Sequence, residues 1–169
     1  MIDESTFQSF YERTRQSLWL YVAGMMKDDA LADDIFQDAY IRFLQSTAQH
    51  KDESRMKSYL YRIATNLMHD HWRKAKRQGK WLYAETETLP ASYNDDATEL
   101  RHDINEAFHQ LSHQQRSLLW LAYAEEYQHK EIAEILKLRE KSVKVLLFRA
   151  KQKLVEIFKH MGITSEVVI

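Results

Sequence analysis

Three glycines (Gly24, Gly79, Gly162) and one proline (Pro90) are all that punctuate this 169-residue chain. Glycine and proline supply the turns that close sheets and loops, so their scarcity favours long helices joined by few tight connections. The one proline lies mid-chain, where a break is useful. Apolar positions agree with this reading. From Asp3 to Met26 they fall at Phe7, Phe10, Tyr11, Leu18, Tyr21, Val22 and Met25, a helical spacing with Asp3 or Ser5 available as cap. Asp28 can cap a second helix, whose apolar stripe runs Leu31, Ile35, Phe36, Ala39, Tyr40, Phe43 and Leu44, with Ile41 beside it. The polar stretch Thr47–Ser54 reads as a loop. A third helix is predicted from about Met56 to Arg77, carrying Tyr59, Leu60, Ile63, Ala64, Leu67, Met68, His71 and Trp72.

Three amphipathic helices can enclose a small core, so the first domain is expected over residues 1–78. Residues 79–101 are mostly polar and include Thr86, Thr88, Pro90, Ser92 and Asn94, as a linker does. A second helical domain is expected over 102–162, with a tail at 163–169. It begins with a short helix, Ile104–Leu111, and continues with one capped by Ser112 that runs through Tyr123. Helices follow over His129–Leu136 and from about Glu140 to Met161. The expected fold class is all-α, in two small helical domains joined by a flexible linker.

Several chemistries are excluded. The absence of cysteine removes disulfides, thiolate catalysis and thiolate metal sites together. No apolar run approaches the roughly 18 residues of a membrane span. The N-terminus is acidic and leads into no apolar core, so an intracellular, soluble protein without membrane insertion is expected. Eight histidines invite a metal reading, yet His69 and His71 sit at i, i+2, on different helix faces. His109 and His113 have i, i+4 spacing, but Ser112 should end the helix between them. No metal, no cofactor and no catalytic residue are expected, since the carboxylates form no convincing acid–base pair.

Charge is informative only in its distribution. Residues 1–54 carry five Lys/Arg against ten Asp/Glu, a balance of −5, and residues 55–80 carry eight against one, or +7. Residues 81–103 return to −5, and residues 129–161 reach +5, with nine cations against four anions. Two basic helices separated by an acidic stretch make the footprint of a two-point polyanion binder.

The second basic stretch has helix-turn-helix geometry. Ile132, Ala133 and Leu136 face inward on the first helix, while Val143, Leu147, Ala150 and Leu154 repeat at 4, 3 and 4 on the second. A turn of three to four residues joins them, and the small Ala133 permits a close crossing. Lys130, Arg139, Lys141, Ser142, Lys144 and Arg149 are suited to phosphates and base edges. On pattern alone, a helical hairpin with a basic face is the competing reading.

Motifs in order along the chain narrow the choice. Glu131-Ile-Ala-Glu-Ile-Leu, then Ser142-Val-Lys and Arg149-Ala-Lys-Gln-Lys-Leu, resemble region four of the extracytoplasmic-function (ECF) group of bacterial RNA polymerase sigma factors. Ala107-Phe-His-Gln-Leu-Ser-His-Gln-Gln-Arg-Ser-Leu-Leu resembles the helices that precede it. Asp33-Asp34-Ile-Phe-Gln-Asp-Ala-Tyr-Ile-Arg-Phe resembles the polymerase-binding helix of region two. Ser58-Tyr-Leu-Tyr-Arg-Ile-Ala-Thr-Asn-Leu, with Asp70-His-Trp-Arg-Lys, resembles the promoter-melting helix.

The resemblance implies a transcription initiation factor without enzymatic activity. Its partners would be core RNA polymerase, through the clamp of the largest subunit and the flap of the second, promoter DNA and an anti-sigma factor. Asp34, Gln37, Asp38, Ile41 and Arg42 would meet the polymerase, with Tyr40 turned inward and Ile41 as the exposed anchor. His50, Lys51, Arg55, Arg62, Asn66, His69, Arg73, Lys74 and Arg77 would meet the minus-ten element. In the same helix Tyr59, Tyr61, Trp72 and Lys76 interleave aromatic rings with cations, an arrangement that suits unstacked bases. The basic residues of the helix-turn-helix would meet the minus-thirty-five element.

Three positions depart from the family pattern. Lys137 stands where the turn usually has glycine, which carries a modest strain cost. Val145 and Leu146 replace small polar and basic residues, so with Phe148 the recognition helix gains an apolar surface, suited to altered DNA contacts or to a protein partner. Arg55-Met-Lys replaces the proline before the third helix. Competing functions are a stand-alone helix-turn-helix regulator and a sigma-like interaction protein without initiation activity.

Overall fold

The computed structural model describes residues 2–46, 52–79 and 96–163. Seven α-helices and one π-helical turn are found among these residues, and the chain is all-α. It divides into two compact units, 1–89 and 90–169.

The first unit contains α1 (Glu4–Met25), α2 (Asp29–Gln45) and α3 (Glu53–Arg77). Each starts on an aspartate whose carboxylate accepts backbone N–H bonds the helix cannot otherwise satisfy: Asp3 from Thr6, Asp28 from Ala30 and Leu31, and Asp52 from Ser54. The Asp52 cap starts α3 three residues before the predicted Met56. Phe10, Leu18, Tyr21, Val22 and Met25 of α1 form the core with Ile35, Ala39, Tyr40 and Phe43 of α2 and Met56, Leu60, Tyr61, Ala64 and Met68 of α3. Phe10 stacks on Phe43 at 5.0 Å between centroids, and Tyr21 meets Tyr61 at 5.1 Å.

Two buried hydroxyl pairs tie α1 to its neighbours. Thr14 donates to the Phe10 carbonyl, so the 2.7 Å contact between Thr14 and Tyr40 is donated by the phenol. Likewise Thr65 donates to the Tyr61 carbonyl and accepts from Tyr21 at 2.8 Å. Burial raises the Tyr40 phenol to about 12, partly offset by the Thr14 bond.

Two positions correct the apolar stripes. Leu44, expected inward, is exposed, and Tyr61, grouped with the nucleic-acid side of α3, is fully buried. Ile63 and Leu67 are only half-buried.

The second unit contains α4 (Asp96–His109), α5 (His113–Leu119), the π-helical turn Trp120–Ala124, α6 (His129–Leu136) and α7 (Glu140–His160). The predicted linker ended at residue 101, whereas α4 begins at Asp96, and residues 80–95 lie outside the described ones. Ser112 caps α5 in a reciprocal box, accepting from the Gln115 N–H while the Gln115 side chain accepts from the Ser112 N–H. Leu118, Leu121, Ile132, Ile135, Val143 and Ala150 are buried to 1% exposure or less. Arg116 lies among them, also buried; its guanidinium contacts His109 Nδ1, and its Nε has no partner. Burial lowers this group to about 10, so it remains charged at neutral pH.

Candidate nucleic-acid interface

On α2 the buried residues Ala32, Ile35, Ala39 and Phe43 define one side. At 3.6 residues per turn, Asp34, Gln37, Asp38 and Ile41 fall on the opposite side, with Arg42 at its margin. Ile41 is 51% exposed, whereas Tyr40 is buried, the inward–outward division that the stripe predicts. Gln37 donates to Asp33 at 3.0 Å, and Arg42 pairs with Asp38 at 3.3 Å. These bonds hold the polar side chains around Ile41 without covering it. Leu20 of α1 and Leu44 of α2 add exposed apolar surface to this unit. The apolar spacing placed Leu44 inward and did not include Leu20, so neither was expected as exposed apolar surface.

On α3 the buried stripe is Met56, Leu60, Tyr61, Ala64, Thr65 and Met68. Helical periodicity sets Arg55, Arg62, Asn66, Arg73 and Arg77 along the far side, with His69 at its edge. From Arg55 to Arg77 this line extends about 33 Å. Arg55, Arg62, Arg73 and Arg77 are exposed, and Asn66 and His69 are half-buried. Lys74 and Lys76, also exposed, lie on opposite flanks of the line. The His69 ring lies 5.5 Å from Trp72, and Asp70 holds Arg73 in an exposed 2.6 Å ion pair. His50 and Lys51 lie outside the described residues. Burial lowers the pKa of the nearby His71, with Asp28 opposing the shift and Lys74 adding to it.

The helix-turn-helix is α6 and α7. Lys137 closes α6 at φ 57°, ψ 46°, the left-handed conformation that a glycine would adopt without strain. The Leu138 N–H returns to the Ala133 carbonyl at 2.9 Å, so the turn keeps its shape despite the lysine. Arg139 occupies the N-cap of α7, and the Ser142 N–H bonds its carbonyl. Lys130, Arg139, Lys141, Lys144 and Arg149 are exposed, and Ser142 is half-buried. Val145 and Phe148 are exposed among them.

Each unit thus presents an exposed basic helix on a well-packed helical core, the second within a helix-turn-helix; this is the architecture of a two-point DNA-binding protein. Residues 10–78 match the family Sigma-70 region 2, and residues 101–154 match Sigma-70, region 4. The RNA polymerase sigma-E factor of Streptomyces coelicolor is 32% identical over 150 residues, covering 86% of this chain and 82% of that protein. The ECF RNA polymerase sigma factor SigM of Bacillus subtilis is 26% identical over 168 residues, covering 95% and 99%. Among solved structures, the sigma factor RpoE of Bartonella quintana in complex with the anti-sigma factor NepR superposes with a TM-score of 0.71. Identity there is 20%, with coverage of 91% of this chain and 97% of that one. CnrH in complex with the cytosolic domain of CnrY gives a TM-score of 0.68 at 19% identity, covering 94% and 90%. This chain belongs to the ECF group of RNA polymerase sigma factors and is a transcription initiation factor.

Proposed function

We propose that the chain binds core RNA polymerase through the exposed face of α2, with Ile41 as the apolar anchor on the clamp of the largest subunit. Asp34, Gln37, Asp38 and Arg42 frame that anchor, as polar rims frame the hot spots of protein interfaces. Residues 1–78 also recognise and open the minus-ten element. There Arg55, Arg62, Arg73, Lys74 and Arg77 neutralise phosphates, and Asn66 and His69 meet base edges or rings. His50 and Lys51 belong to the same surface on the family resemblance alone. Residues 102–162 bind the minus-thirty-five element through Lys130, Arg139, Lys141, Ser142, Lys144 and Arg149, and also meet the polymerase flap. The two assignments leave a linker between them that ends before α4 begins at Asp96, and residues 163–169 as a tail.

The protein catalyses no reaction itself in this reading; it supplies binding energy and strand selection to the polymerase, in the cytoplasm. Among the described residues no helix is long and apolar enough to cross a membrane. An anti-sigma factor is a further expected partner, since RpoE and CnrH are each described in complex with another protein, for RpoE an anti-sigma factor.

The observation that carries the reading is the row of exposed arginines on α3, Arg55, Arg62, Arg73 and Arg77, set opposite the buried stripe of Leu60, Ala64 and Met68. The test is co-purification with core polymerase, followed by transcription from duplex and pre-melted promoter templates. The expected result is a stable holoenzyme in which Ile41→Glu weakens association by about 30-fold, the scale of an interface hot spot. Failure of the unaltered chain to bind core polymerase would overturn the reading.

A further inference from the structure

The exposed face of α7 has a composition that phosphate binding alone does not explain. Val143, Leu147 and Ala150 are buried, which turns Lys141, Val145, Phe148 and Gln152 to the opposite side of the helix. Val145 is 49% exposed and Phe148 61%. Lys141 and Arg149 lie one turn from Val145 and Lys144 one turn from Phe148, while Arg139 stands at the N-cap; all four are exposed, and none forms an ion pair among the described residues. Apolar side chains left in water gain by being covered, and unpaired cations gain by meeting anions. Duplex DNA meets both requirements at once. Its phosphates lie at the rim of the major groove, and its floor carries one apolar group, the C5 methyl of thymine. A protein partner would need an apolar centre ringed by four correctly spaced carboxylates to do the same.

We propose that Val145, supported by Phe148, is a specificity-determining residue that reads thymine methyl groups in the upstream promoter element. The neighbouring Leu146 is half-buried and has no donor, so none of these three side chains offers the fork that selects guanine. The inference rests on the promoter-binding role given above to residues 102–162.

Holoenzyme reconstituted from the full chain and core polymerase is used to select from a duplex pool randomised over the upstream element. The enriched duplex is then made with deoxyuridine replacing each thymidine in turn, which removes the methyl and nothing else. At one or two positions affinity falls about three- to fourfold, the scale of one buried methyl group. Val145→Ser abolishes that difference, and Val145→Thr, which keeps a methyl, retains part of it. Circular dichroism melting checks that both variants fold. Enrichment of an upstream element in which uracil always equals thymine overturns the inference and leaves the promoter reading standing. So does a methyl preference that survives Val145→Ser, and so does a base preference untouched by the variant, the pattern of a face that docks protein instead. No enrichment of any upstream element overturns both.

Discussion

The faces of α3 and α7 are both basic, but they put their cations in different places. On α3 the arginines run down the middle of the exposed face, and aromatic residues lie close by. On α7 the middle is Val145 and Phe148, and the cations stand around it. A helix tracking a separated strand, as proposed for α3, needs charge along its length, with rings on which bases can stack. One lying in a groove needs charge only at its rim and shape at its centre. A net positive charge therefore serves two geometries.

The largest effect separates the faces from the cores beneath them. Leu60 lies under the α3 face with no exposure. Leu60→Ala should cost about 2–5 kcal/mol in denaturant unfolding, through lost burial and the cavity left behind. Phe148→Ala, on the exposed face of α7, should stay within about 0.5 kcal/mol. A large loss from Phe148→Ala would mean that its ring packs within the unit, and the contrast would fail.

Next comes a pH effect specific to the first unit. The Tyr40 phenol titrates near 12 when folded, raised from 10 by burial. The folded state holds this proton more tightly than the unfolded chain, so the stabilisation is complete below pH 10 and lost as pH rises towards 12. Two pKa units correspond to about 2–3 kcal/mol. Tyr40→Phe should flatten the dependence over that window in equilibrium melts; an unchanged alkaline limb would assign it to other groups.

Salt dependence sharpens the comparison itself. Removing one phosphate contact lowers the slope of log affinity against log salt by about 0.7 on single-stranded DNA and about 0.9 on duplex. With holoenzyme, Arg73→Ala should show the smaller decrement on a pre-melted minus-ten template, and Lys144→Ala the larger on an upstream duplex. Equal slopes on both templates for both variants would erase the distinction between the two faces.

The smallest effect lies in the turn. Lys137→Gly relieves a left-handed lysine but frees the unfolded chain, so a net gain of about 0.5–1 kcal/mol is expected in thermal melts. A loss would mean that the lysine side chain makes a compensating contact.

Much of this was legible beforehand. The caps at Asp3, Asp28 and Ser112 mark helix starts because few side chains can satisfy orphan N–H groups. The stripe Val143, Leu147, Ala150 shows its face because a short amphipathic helix has one apolar side. Less could be read on α3, where Tyr59, Leu60, Tyr61, Ile63, Ala64, Leu67 and Met68 reach most of the way around the helix. Period alone cannot choose among them. The Tyr21–Thr65 bond and the Tyr21–Tyr61 contact select the side that is buried, leaving Ile63 and Leu67 half-exposed. Arg116 was equally opaque, since a charged residue is expected at the surface until neighbouring helices close over it.

Local periodicity, capping and charge blocks, all carried by residues a few positions apart, determined that this chain is helical, where most helices begin, and which stretches are basic. Tertiary packing decided which of several apolar faces is spent on the core. The remainder, Ile41 on α2, the arginine line on α3 and Val145 with Phe148 on α7, is left outside for partners. That choice depends on contacts between residues far apart in sequence, which no local pattern encodes.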